Sequence, residues 1–149
     1  MDQQALSSYF SFFNEVGIIQ QLSSAAMEQQ LPDGLLVSHF AVVNHLMRLG
    51  EGRTPLSIAK AFQVPKTTLT HTLNGLGKSG LIEMRPNPKD GRSKLVYTTQ
   101  AGREFRDQSI ESMAPMLSDF AQTIPLDEIK AVLPLLVKIR EKLDRDRGR

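Results

Sequence analysis

The sequence predicts a mostly α-helical chain with one small β-hairpin, in which a pair of short helices precedes the hairpin and long helices stand at both ends. Three observations predict it. Apolar residues recur at helical spacing through most of the 149 residues. Only residues 81–85 and 94–98 are patterned as strands, the first by alternation and the second by β-branched and aromatic content. Between them, Pro86-Asn87-Pro88-Lys89-Asp90-Gly91-Arg92 is a turn-rich loop whose Asp-Gly pair is a hairpin signal.

Each element has its own signature. Residues 3–29 form a first helix, with Leu6, Phe10, Phe13, Val16 and Ile19 in a stripe that Tyr9 and Phe12 widen. The aromatic crowding at 9–13 predicts that this end packs into something large. Pro32-Asp33-Gly34 makes a turn. The second helix, 35–49, puts Leu36, Phe40, Val43 and Met47 on one face, and Gly50 and Gly52 end it. Thr54 is an N-cap and Pro55 is pre-shaped for the first helical position, so a third helix opens there, with Leu56, Ile58, Ala59 and Phe62 on its apolar side. Gln63-Val64-Pro65 is a short break. A fourth helix spans 65–78, with Leu69, Leu73 and Leu76 inward, and Ser79-Gly80 stops it. Two short helices joined by a tight turn are a helix-turn-helix, and the hairpin that follows makes it a winged helix. A fifth helix runs from 99 or 100 to about 122, bent or split at Pro115. Ile124-Pro125 breaks the chain, and the last helix, 126–145, repeats Ile129, Val132, Leu136, Ile139 and Leu143, with a kink expected at Pro134. The tail 145–149 is expected to fray.

Composition removes several function classes. The absence of Cys excludes disulfide scaffolds, thiol chemistry and Cys-ligated zinc. The three His give no metal site: His39 and His45 are six apart on one helix and do not share a face. No nucleophile elbow, phosphate loop or paired-carboxylate pattern is present, so neither catalytic residues nor a cofactor are expected. No apolar run approaches the roughly 18 residues of a membrane span, and Met1–Leu6 holds no basic residue of the kind that opens a secretory leader. A cytoplasmic, non-membrane protein is the expectation.

Charge placement says more than the net charge of +2. No Lys or Arg precedes Arg48, whereas Arg48–Arg106 holds 11 Lys/Arg against 4 Asp/Glu, a local +7. Such a block within a near-neutral chain is the footprint of a polyanion-binding segment. The apolar flanking helices then need another partner, and assembly is the expectation.

The stretch 35–102 resembles the MarR family of bacterial winged-helix transcription regulators. The helix-turn-helix ends in Leu76-Gly77-Lys78-Ser79-Gly80-Leu81-Ile82, the wing reads Asp90-Gly91-Arg92-Ser93-Lys94-Leu95-Val96-Tyr97-Thr98, and Thr99-Gln100-Ala101-Gly102 follows as a Thr-x-x-Gly helix start. The resemblance implies one MarR-like domain over 1–149, with residues 35–102 binding DNA and residues 1–30 and 103–149 dimerising. Three departures stand out. Gly75 and Gly77 lie in the recognition helix, each costing about 1 kcal/mol relative to Ala. Pro134 interrupts a dimer helix, and Gly91 occupies a wing position that the family often fills with Arg.

On this reading Lys66, Thr67, Thr70, His71 and Asn74 form the outward face of the recognition helix, able to reach base edges and phosphates. Thr54 caps the third helix and offers its end to a phosphate. Arg92 is implied to enter the minor groove. Asp90 is expected to hold the wing's shape, and Arg85, Lys89 and Lys94 are phosphate candidates, which position without specifying. The partners implied are double-stranded DNA, a second copy of the chain in a twofold homodimer, and a small aromatic or acidic effector that releases DNA. Phe10, Phe13, His39, Phe40 and Val43 are its candidate lining, although the same residues also read as plain core between the first two helices. The reading is a sequence-specific regulator, a repressor in its simplest form. The alternatives are a winged helix used to dock proteins and a non-specific DNA binder. The basic block argues against the first, and salt-erased binding without sequence preference would mark the second.

Overall fold

The structure is a computed structural model and describes residues 1–146. The described elements are α1 (Gln3–Glu28), α2 (Val37–Leu49), α3 (Pro55–Phe62), α4 (Lys66–Lys78), β1 (Ile82–Pro86), β2 (Lys94–Thr98), α5 (Gln100–Ser112), α6 (Ala114–Thr123) and α7 (Leu126–Asp146). They form two compact units, Met1–Ser112 and Met113–Arg149. The mostly helical class with a single hairpin is the one the sequence predicts. Of the tail expected to fray, Arg145 and Asp146 lie within α7, and residues 147–149 lie outside the described residues.

The core of the first unit is built where the helix-turn-helix meets the hairpin. Leu46 and Val43 of α2, Ile58 of α3, Leu69, Leu73 and Leu76 of α4, and Val96 of β2 are its fully buried side chains. The 4-then-3 spacing of the α4 leucines puts all three on one side of that helix. Thr54 caps α3 as expected: its Oγ1 accepts from the Ser57 N–H at 3.2 Å, while the Ser57 hydroxyl donates to the Thr54 carbonyl at 2.8 Å. Gln63 takes the left-handed conformation (φ 55°) that closes α3 and turns the chain into α4.

The starts of α2 and β1 differ from expectation, each for a local reason. α2 starts at Val37 rather than 35, because the Leu35 N–H closes a turn onto the Pro32 carbonyl at 3.1 Å and Leu36 stays extended as the N-cap. β1 starts at Ile82 rather than 81, because the Leu81 N–H is taken by the Leu76 carbonyl at 2.9 Å, where it closes α4. The antiparallel ladder then pairs Ile82 with Thr98 and Pro86 with Lys94. The fifth predicted helix is split, as Pro115 suggested: α5 ends at Ser112 and α6 opens with Pro115 in its first turn. Pro134 does not interrupt α7.

An isolated β-bridge has no counterpart among the predicted elements. Glu51-Gly52-Arg53 runs beside β2: the Gly52 N–H donates to the Val96 carbonyl at 3.0 Å, and the Val96 N–H to the Arg53 carbonyl at 2.9 Å. The Glu51 carboxylate accepts from the Thr98 N–H at 2.8 Å and pairs with Arg103 at 3.1 Å. These contacts tie the end of α2 to the wing base and to α5.

The Thr-x-x-Gly start of α5 has a steric cause. Thr99 Oγ1 accepts from the Gly102 N–H at 3.1 Å and donates to the Gly80 carbonyl at 2.6 Å, so one hydroxyl caps α5 and closes the turn after α4. Gly102 lies so close to the residue before β1 that a Cβ there would stand 2.1 Å from the Leu81 carbonyl oxygen.

The second unit is simpler. Asp127 and Glu128 sit in the first turn of α7, where the helix dipole favours them, and Arg140–Asp144 (3.4 Å) and Lys142–Asp146 form i,i+4 pairs near its end. No residue of α6 or α7 is buried, and the same holds for α1. Among the described residues no helix is long and apolar enough to cross a membrane.

Candidate nucleic-acid interface

The outward face of α4 is built by elimination. Once Leu69, Thr72, Leu73 and Leu76 turn inward, Lys66, Thr67, Thr70, His71 and Asn74 are left exposed. Thr68 is exposed as well, beyond the residues expected on this face. The hydroxyl of the exposed Thr70 donates to the Lys66 carbonyl at 2.8 Å, which leaves its lone pairs able to accept.

The wing is a shaped loop. The Asn87 side chain accepts from the Lys89 N–H at 3.0 Å and donates to Ser93 Oγ at 2.8 Å. Asp90 Oδ1 accepts from the Arg92 N–H at 3.0 Å, and the Asp90 carbonyl accepts from the Ser93 N–H at 3.1 Å. Asp90 therefore fixes the backbone of the wing, as expected, and leaves the Arg92 guanidinium exposed.

Hydrogen bonds and ion pairs sort the basic block into two groups. Arg53 is engaged in structure: its Nε donates to the Gly50 carbonyl at 3.1 Å and its Nη2 to the Leu49 carbonyl, which caps the end of α2. Arg103 is paired with Glu51, and Arg106 with Asn44 (3.2 Å) and Asp107 (2.8 Å). Arg85, expected as a phosphate candidate, pairs with Glu83 and lies 4.2 Å from the centroid of the Tyr97 ring. Among the described residues, Lys66, Lys89, Arg92 and Lys94 are exposed with no ion-pair partner. Arg48 and Lys78 are exposed too, each in the last turn of its helix, where a cation complements the helix dipole. Within the candidate interface, the cations free for an external anion thus lie on α4 and on the wing.

The comparisons with known proteins bear on this arrangement. Residues 33–93, from the turn before α2 to the end of the wing loop, match the model of the MarR family. That stretch is homologous to the MarR family. The chain is 22% identical over 144 residues to the transcriptional activatory protein BadR of Rhodopseudomonas palustris, covering 92% of this chain and 78% of that protein. Its fold is similar to that of the transcriptional regulator BldR from Sulfolobus solfataricus (TM-score 0.81, 19% identity, 95% of this chain and 99% of that one). It is also similar to a MarR variant from E. coli complexed with operator DNA (TM-score 0.76, 23% identity, 93% and 99%). At the level of the family, the match supports DNA-binding transcriptional regulation. Among the described residues, no three His, Asp or Glu side chains are grouped to hold a metal ion.

Within this MarR-like frame the residues expected to line an effector site are placed differently from one another. Phe10 and Phe13 are exposed on α1, and Val43 has no exposed surface, so Val43 lines no open cavity. Phe40 packs edge-to-face on Phe105, with ring centroids 6.5 Å apart. A cavity of about 300 Å³ lies elsewhere, lined by Gln30, Leu31, Pro32, Phe105, Gln108, Ser109 and Ser112. Nothing in the spacing of α1 and α2 signals it, because its lining comes from a turn and from the polar-reading α5.

His39, expected as the polar anchor of the effector lining, is held by its own helix start. It is buried, its Nδ1 accepts from the Leu36 N–H at 2.9 Å, and its backbone N–H donates to the Leu36 carbonyl at 2.9 Å. Its ring explains one recognition-helix glycine: a Cβ at Gly75 would stand 2.6 Å from His39 Nε2. Gly77 has no such neighbour.

Two histidines predict how stability responds to acid. Burial, and secondarily His71, hold the His39 pKa below the ordinary 6.5. Burial, and secondarily Arg53, do the same for His45, whose ring lies 5.1 Å from that of Phe62. The unfolded chain therefore takes up protons first as pH falls. Their contribution to stability is full above 6.5 and is lost as pH falls through that value towards the lower folded pKa. The urea midpoint is expected to drop between roughly pH 7.5 and pH 5.5, and the combined His39→Asn and His45→Gln variant to lose most of that drop. An equal drop in both proteins would remove the histidines as its cause.

Proposed function

We propose that this protein is a sequence-specific transcription regulator that grips DNA as a homodimer through α4 and the wing. The carrying observation is the segregation of charge: four arginines of the basic block are bound internally, while Lys66, Lys89, Arg92 and Lys94 face solvent. A docking surface for proteins has no need of that arrangement. Lys66, Thr67, Thr70, His71 and Asn74 supply base-edge and phosphate contacts from α4. Arg92 reaches the minor groove, Lys89 and Lys94 hold phosphates, and the capped start of α3 at Thr54 meets another.

The homodimer is supported by apolar exposure. Tyr9, Phe10, Ile19 and Leu22 of α1, and Leu126, Leu133 and Leu135 of α7, are each at least half exposed in the single chain. Helices that bury nothing within their own chain gain most of their stability from a partner. A twofold dimer presents two recognition helices, so its site is a pseudo-palindrome with half-sites spaced about 34–36 Å apart, one helical turn. Occupying such a site represses in the simplest case. Release by a small effector rests on the cavity beside Phe105, whose size is at the lower end for small-molecule pockets.

The test is fluorescence-anisotropy titration of a selected duplex beside a shuffled one at two salt concentrations. A preference of about 10³-fold or more that survives added salt is expected. Equal, salt-erased binding would identify a non-specific binder instead. In the same assay Arg92→Ala is expected to weaken binding about tenfold or more and to lower the salt slope by about one. Unchanged binding by Arg92→Ala would remove the wing from the interface.

A further inference from the structure

The His39–Gly75 contact joins the start of α2 to the recognition helix through a titratable ring. His39 Nδ1 is an acceptor, since it receives the Leu36 N–H at 2.9 Å, so a neutral ring carries its proton on Nε2. That Nε2 edge is pressed against Gly75, where even a methyl group would not fit. The contact lies one turn beyond His71, on the α4 segment that carries the exposed DNA-facing side chains. A proton on Nδ1 removes the acceptor, leaves the Leu36 N–H without its cap and places a buried positive charge against α4.

We propose that His39 is a proton-operated seat for the recognition helix: neutral, it locks α2 and α4 together, and protonated, it releases α4 from the geometry that reads DNA. The charged groups on the neighbouring elements do not compensate that proton. His71 of α4 bears on His39 with the same sign. Glu28, at the end of α1, is held by the Val37 N–H at 3.2 Å. Arg106 of α5 is engaged by Asn44 and Asp107, and Arg103 by Glu51. Tyr97 of β2 lies under Arg85, and Lys94 stands at the wing end of that strand. No carboxylate among these is hydrogen-bonded to the His39 ring. Burial favours the neutral ring in the locked state for the same reason.

The direction of the effect follows from linkage. Burial holds the locked ring below the ordinary 6.5, so acidification through that value weakens the seat. Nonspecific attraction to phosphate moves the other way, because added positive charge strengthens it. Loss of specific binding in acid is therefore a signature that bulk charge does not produce.

The experiment has two arms, because the DNA consequence rests on the regulator reading and the seat itself does not. In the free protein, imidazole NMR across this pH range is expected to show His39 as the Nε2–H tautomer, with Gly75 and His71 amide shifts that follow its titration. In His39→Asn, whose side-chain oxygen keeps the acceptor without a titrating group, the Gly75 shift is expected to stay flat. With DNA, wild type is expected to lose specific affinity on acidification while His39→Asn does not, and His45→Gln should behave as wild type. Circular dichroism at the lower pH checks that each protein is folded. A Gly75 amide indifferent to His39, or equal acid loss in wild type and His39→Asn, would overturn the proposal. Failure to bind any duplex with the NMR coupling intact would refute the regulator reading and leave the seat standing.

Discussion

Replacing Gly102 by Ala is expected to cost about 3 kcal/mol or more of folding stability, the largest effect of any single methyl group in the first unit. The added Cβ would lie 2.1 Å from the Leu81 carbonyl oxygen, 2.7 Å from Thr98 Cγ2 and 3.1 Å from the Leu81 carbonyl carbon. Two of these are backbone atoms, and the Leu81 carbonyl is also bonded to the Thr99 N–H at 3.1 Å. Relief therefore requires moving β1 against α5, which disturbs the Thr99 cap and the base of the wing together. Gly77→Ala is the matched control. It lies in a helix with open space around it, so the same methyl is expected to stabilise by about 0.5–1 kcal/mol. Urea unfolding of both variants checks the pair, and a loss below about 1 kcal/mol for Gly102→Ala would contradict the packing described.

Leu73→Ala is expected to cost about 2–5 kcal/mol, since it empties a buried position where α4 meets the core of the winged helix. Its neighbour Asn74 points to solvent, and Asn74→Ala is expected to change stability by no more than about 0.5 kcal/mol. The two substitutions, one residue apart, separate the two faces of the recognition helix. Leu73→Ala should lower the urea midpoint and reduce DNA binding only through the folded fraction. Asn74→Ala should leave the midpoint in place and act on affinity alone. A destabilised Asn74→Ala, or a Leu73→Ala as stable as wild type, would reverse the assigned faces.

Elements written in local residue chemistry were legible in the sequence. The Thr54-Pro55 start of α3, the three leucines of α4, the turn at Asp90-Gly91 and the break at Pro115 each need only a few neighbouring residues, and each stands where expected. What the sequence did not show depends on contacts between distant segments. The bridging segment at Glu51–Arg53 is too short and too polar to carry a strand pattern, and its bridge exists because Val96 offers it both backbone partners. Gly75 reads as a weak point in a helix until the His39 ring is placed against it. Arg85 reads as one more cation of a basic block until Glu83 and Tyr97 are found beside it. The cavity at Leu31 and Phe105 joins a turn to a helix whose exposed face is polar, and no periodicity announces such a pairing.

Charge sorting is the thread from sequence to function. The block from Arg48 to Arg106 carries +7, yet its structural arginines hold the end of α2, the wing base and the contact with α5. The free cations of the interface are those of α4 and the wing, beside a helix face of hydroxyl, amide and imidazole groups. That combination is suited to a surface that positions itself on phosphates and reads base edges between them.

The most direct test of that claim is selection of bound duplexes from a random-sequence DNA library by the full-length protein, followed by sequencing of the retained pool. Enrichment of one pseudo-palindromic motif with half-sites about one helical turn apart is expected, and loss of that enrichment with Arg92→Ala. A retained pool with no shared motif, or none retained at all, would contradict it.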